Sequence, residues 1–157
     1  MNRELTQQHQ KLRALARKAG EASLNDFELL AHWAKYLCVL VAGFLENSLT
    51  EVYSEFVTDS SSPAVARFAT TMLGNIQNPK AQRFVEIAGA FDDEWRAELE
   101  LFIASNGRKE ALDSIMANRH QIAHGENSGI TLARVNQYLE KCIEVIDFLE
   151  AQCKGQH

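Results

Sequence analysis

An all-α protein is predicted, an up-and-down bundle with two long helices and several shorter ones. Apolar residues recur at three-and-four spacing through most of the 157 residues, and only two prolines interrupt them. No stretch alternates apolar with polar residues as a half-buried strand would. The length suits one domain, 1–157, with a sizeable core.

The elements follow in order. A helix over 2–19 holds Arg3, Lys11, Arg13, Arg17 and Lys18 against one nearby acid, Glu4; such a stripe is either a solvated face or a surface for phosphate. A long helix over 24–58 presents Leu30, Trp33, Leu37, Leu40, Phe44, Leu49, Val52 and Phe56 along one side. Ser60-Ser61-Ser62 is a loop. Ser62-Pro63 and Asn78-Pro79 open helices over 63–74 and 79–89, because proline at the first helical position loses no hydrogen bond. Asp92-Asp93-Glu94 reads as the acidic start of a helix over 93–104 rather than a catalytic carboxylate pair. Helices over 108–124 and 131–153 complete the chain, with Gly125 stopping the first and Thr131 capping the second. The last helix matches the long one through Val135, Tyr138, Leu139, Cys142, Ile146 and Leu149.

Composition narrows the function classes. A net charge of −5 argues against a uniformly basic nucleic-acid surface, though not against a local patch. Gly74 and Gly89 stand alone, so no glycine-rich phosphate loop is expected. Cys38, Cys142 and Cys153 lack the close spacing of a zinc or redox motif and read as small buried hydrophobes. No apolar leader follows Met1, and Leu37 to Ala42 is too short an apolar run to span a bilayer. A soluble, reduced, cytoplasmic protein with no membrane partner is expected. His9, His32 and His157 show no evident partners, and the last is expected to fray.

Chemistry concentrates in Arg119-His120-Gln121-Ile122-Ala123-His124-Gly125. Leu112, Ile115, Met116, Ile122 and Ala123 recur at helical spacing, and Arg119 falls on their line, where a core hydrophobe would sit. A guanidinium keeps its charge, so it needs an anion, a partner or water. Glu46 or Glu144 could pair with it as an ordinary buried ion pair. His124 stands at a helix end, where the carbonyl dipole favours a cation. On a straight helix Arg119 and His124 lie about 140° apart and His120 and His124 about 40° apart. A site uniting arginine and His124 therefore needs a distorted helix end or a second chain. A zinc ion held by His120 and His124 would need a third ligand, and no acid lies close enough in sequence to supply an obvious one.

Arg119-His120-Gln121-Ile122-Ala123-His124 resembles the motif of the HEPN superfamily of all-helical domains: arginine, a polar follower, and histidine after four to six intervening residues. The long second helix, the motif helix ending Ala-His-Gly and the closing helix are similar to the HEPN branch associated with ribosomal L-PSP-like proteins. The resemblance implies a metal-independent endoribonuclease acting as a homodimer, with motif helices of both chains meeting at a shared cleft. It places His124 in proton transfer, Arg119 on the phosphate, and His120 in orientation or the second proton transfer. It also implies an RNA substrate, no cofactor, and a toxin or phage-defence role under an antitoxin or regulatory protein. In HEPN toxins controlled by a nucleotidyltransferase-type antitoxin a tyrosine follows the histidine by two residues; here that position is Glu126. Regulation by tyrosine modification there is not expected. The alternative is a non-catalytic HEPN-like module that binds protein or nucleotide and dimerises, which the overall acidity would suit. A structural bundle with no ligand is a third reading, because fold alone supplies no function.

Overall fold

The computed structural model describes residues 2–155, and seven α-helices are the regular elements among them: α1 Arg3–Ala22, α2 Phe27–Ser60, α3 Pro63–Leu73, α4 Ala81–Phe91, α5 Asp93–Ile103, α6 Arg108–Ala123 and α7 Leu132–Lys154. His157, expected to fray, lies outside the described residues.

The predicted stop at Gly125 and cap at Thr131 hold, whereas α2 starts at Phe27 rather than at 24. Asn2, Asp26, Asp92 and Thr131 each cap a helix by accepting from a backbone N–H two or three residues on. Pro63 occupies the first turn of α3 as expected. Pro79 does not open α4. The helix begins two residues later, after Lys80, whose side chain makes no cap. The cap comes from another helix instead: the Ala81 N–H donates to Asp113 Oδ1 on α6 at 2.9 Å. Asn78 takes a positive φ of 47°, and its N–H donates to Glu46 Oε2 of α2. The 74–80 connection is thus tied to two helices before α4 starts.

α2 has 34 residues, about 50 Å of helix, and packs against α1, α3, α6 and α7. It is long and apolar enough to cross a membrane, with an 18-residue window of mean hydropathy 1.4, which the short run Leu37 to Ala42 does not reveal. Here its apolar surface serves a bundle: Ala34, Leu37, Cys38, Val41, Leu45 and Leu49 are buried in the core. Beyond them, Tyr53 stacks on Phe91 at 4.8 Å, and Phe56 and Trp95 close an aromatic cluster among α2, α4 and α5.

α1 runs antiparallel to α7, since the Asn2 N–H donates to Glu150, Arg13 pairs with Glu140, and Gly20 faces Leu132. The basic stripe of α1 is a solvated face in which Arg13 meets Glu140 and Arg17 meets Glu21. Three buried thiols, Cys38, Cys142 and Cys153, sit in the core as expected; burial pushes Cys38 up to about 12, so it stays a thiol. His32 lies 3.9 Å from Glu28, and His9 is buried beside Phe44.

Candidate functional site

α6 is a core helix on one face. Arg108, Ala111, Leu112, Ile115 and Met116 are buried, and the same line continues through half-buried Arg119 and Ile122. Cys38 of α2 donates its S–H to the Ile115 carbonyl at 3.6 Å, which pins the middle of α6 to the long helix.

The helix ends where glycine permits it. His124 is the C-cap, Gly125 adopts φ 68°, its N–H donates to the Ile122 carbonyl, and the Glu126 N–H donates to the Gln121 carbonyl at 2.8 Å. Those two bonds form a Schellman stop, which satisfies carbonyls that a helix end leaves open. Glu126 is exposed and takes part through its backbone.

Beyond the stop, Ser128 is buried, and its hydroxyl donates to Asn118 Oδ1 at 2.7 Å, while Asn118 Nδ2 donates to the Ser114 carbonyl at 2.8 Å. The loop after His124 is thus tied back onto the helix turn that carries Arg119. Neither residue is conspicuous in the sequence; they lie ten positions apart across a turn, and nothing periodic links them.

His120 and His124 come together, with ring centroids 4.3 Å apart and planes tilted by 55°. Both are exposed. Arg119 is half-buried and, among the described residues, has no hydrogen bond or ion pair. Glu46, a possible partner, accepts from Asn78 instead. Glu144, the other, binds Arg108 at 2.8 Å and Lys141 at 2.8 Å, and these bonds, Lys141 foremost, hold its carboxyl below the usual carboxylate range. The buried arginine that satisfies an ion pair is Arg108, which also donates to the Phe102 carbonyl and Ser105 and lies 3.7 Å over the Phe102 ring.

The helix is continuous to Ala123, and the five-residue spacing sets Arg119 and His124 about 140° apart around its axis. Among the described residues no group of three or more His, Cys, Asp or Glu side chains is arranged to hold a metal ion. The family model RiboL-PSP-HEPN matches residues 3–155, nearly the whole chain. The chain belongs to the RiboL-PSP-HEPN family. No curated protein and no solved structure matches it.

Within this HEPN domain the motif occupies one end of the bundle. α1 ends beside the start of α7, the α1–α2 turn is short, and α6 feeds α7 through the 124–131 loop. Leu24 and Phe27 therefore lie at the motif's end of the molecule, and they are 76% and 85% exposed. On another side of α2, Leu29, Tyr36, Val39 and Gly43 are exposed, with exposed His32 among them.

Proposed function

We propose that this HEPN protein is a metal-independent endoribonuclease whose site is built from Arg119, His120 and His124 and is completed by a second copy of the chain. The observation that carries the reading is the pairing of two exposed imidazoles 4.3 Å apart, next to an arginine with no partner among the described residues.

The chemistry follows from the side chains. Attack by the ribose 2′-hydroxyl on the adjacent phosphorus needs a base for the hydroxyl proton and an acid for the departing 5′-oxygen. His124 takes the proton-transfer role, and His120, within reach of it, orients it or performs the second transfer. Arg119 offers its fork of N–H donors to the phosphorane oxygens as their charge grows. The P–O5′ bond breaks as the P–O2′ bond forms, leaving a 2′,3′-cyclic phosphate and a 5′-hydroxyl. DNA lacks the nucleophile and should resist.

A second copy supplies what one chain lacks. Arg119 sits on the core-facing side of α6 and His124 at its exposed end, so a two-fold axis beside α6 would set the arginine of one protomer near the histidines of the other. Leu24 and Phe27, 76% and 85% exposed at the motif's end of the molecule, offer apolar surface for that contact. A cytoplasmic setting, with a toxin or phage-defence role and a restraining partner protein, completes the proposal.

The test is incubation of purified protein with end-labelled RNA in EDTA, comparing wild type with Arg119→Ala and His124→Ala. Wild type should cleave, and each variant should lose about a hundredfold or more in rate. Intact RNA in all three, with folded dimeric protein, would favour the non-catalytic module, the reading to which the net charge of −5 and exposed Glu126 lend weight.

A further inference from the structure

His120 and His124 stand one turn apart at the end of α6, so their side chains lie one above the other on the same face. Both are exposed, and their ring centroids are 4.3 Å apart with the planes tilted by 55°. Neither imidazole has a hydrogen bond or ion pair among the described residues. The other histidines there are placed differently: His9 is buried beside Phe44, and His32 lies 3.9 Å from Glu28.

We propose that His120 and His124 together bind a divalent transition-metal ion, zinc foremost, and that the bound ion turns the proposed site off. Imidazole suits zinc, copper and nickel, whereas magnesium and calcium take oxygen ligands. A zinc–nitrogen bond of about 2.1 Å puts each ring centroid about 3.2 Å from the ion, and two such centroids about 4.5–5.2 Å apart at bond angles of roughly 90–110°. From the observed 4.3 Å, two exposed side chains open by less than about 1 Å to reach that spacing. Among the described residues no carboxylate or thiol joins them, so water fills the remaining positions. Such a site is open and exchanges its ion, unlike a closed structural one. Its place in the helix favours a cation as well: His120 lies in the last turn and His124 is the C-cap, at the negative end of the carbonyl dipole. The Schellman stop fixes the His124 backbone, so the two donors are brought together before an ion arrives. The regulatory half of the proposal rests on the ribonuclease reading. A metal-bound imidazole has no free lone pair, since its other nitrogen carries the proton, so it cannot take the 2′-hydroxyl proton and is too weak an acid for the departing 5′-oxygen. Zinc thus stands in for the protons that cleavage must move, and its removal restores them.

Untagged protein is titrated calorimetrically with zinc chloride as wild type, His120→Ala, His124→Ala and, as a control, His32→Ala. One saturable ion per chain is expected in wild type. Affinity should fall about tenfold or more in His120→Ala and in His124→Ala, and by less than about twofold in His32→Ala. Magnesium should show no saturable binding. In parallel, cleavage of labelled RNA by wild type should be halved at the zinc concentration that half-fills the calorimetric site and should return on adding EDTA, while the residual activity of His120→Ala should need about tenfold more zinc. Absence of saturable zinc binding to wild type, or equal weakening by His32→Ala and His120→Ala, would overturn the site. Zinc bound through both histidines with cleavage undiminished would strike out the regulation. RNA left intact by metal-free wild type, with zinc still bound through both histidines, would support the site and count against the ribonuclease reading, so the two failures are told apart.

Discussion

Arg108 and Arg119 lie three turns apart on the same face of α6 and are treated oppositely. Arg108, with a side chain 10% exposed, is engaged on every side by Glu144, the Phe102 carbonyl, Ser105 and the Phe102 ring. Arg119 is half-buried and engages nothing among the described residues. A core arginine kept for stability looks like the first, and one kept for a ligand looks like the second. Arg108→Ala should therefore cost about 2 kcal/mol, less than a fully buried pair because Glu144 keeps Lys141, and thermal unfolding should start roughly 4–8 °C lower. Arg119→Ala should leave the melting temperature within about 2 °C of wild type while removing the proposed cleavage. Calorimetry on the two variants separates these roles. A large stability loss from Arg119→Ala would make it a structural residue.

At the level of elements, the end of α6 is fixed by backbone geometry and by a side-chain tie. Gly125→Ala forces an L-residue to φ 68° and should destabilise the protein by about 1 kcal/mol, measurable by urea unfolding. Ser128→Ala leaves Asn118 Oδ1 without its donor and should cost about 1 kcal/mol, with faster amide exchange in the 124–130 loop. Both features were unequally visible in the sequence. Gly125 and Thr131 announce a stop and a start because capping is local, and the seven helices follow from spacing and caps alone. The Asn118–Ser128 bond and the Asp113 cap on Ala81 span ten and thirty-two positions and depend on which faces meet, which no local pattern encodes. Pro79 misled for the same reason, since a tertiary cap moved the helix start past it. Of the site, the residue types and the closeness of His120 to His124 were legible from helical spacing. The freedom of Arg119 was not, because Glu46 and Glu144 were equally available until Asn78 and Arg108 claimed them.

For the whole molecule, acid should weaken folding in a definite window. Burial holds the His9 imidazole below its ordinary value of 6.5; Arg13 adds to this, while Glu140 and Asp147 oppose it. The unfolded chain therefore binds a proton that the folded chain refuses as pH drops below about 6.5, so this contribution to stability is lost from there down to the lowered folded value. His9→Leu should flatten the pH dependence of urea unfolding across that interval; an unchanged slope would assign it to other groups. Assembly is the larger question, because α6 is continuous to Ala123 and the spacing sets Arg119 and His124 about 140° apart around its axis. The most direct measurement mixes inactive Arg119→Ala and His124→Ala proteins, allows subunits to exchange, and follows RNA cleavage in EDTA. A site shared across the two-fold axis predicts recovery of about one quarter of wild-type activity, since half the dimers are mixed and each holds one intact site. No recovery from a mixture proven to contain mixed dimers would contradict it and confine Arg119 and His124 to a single chain.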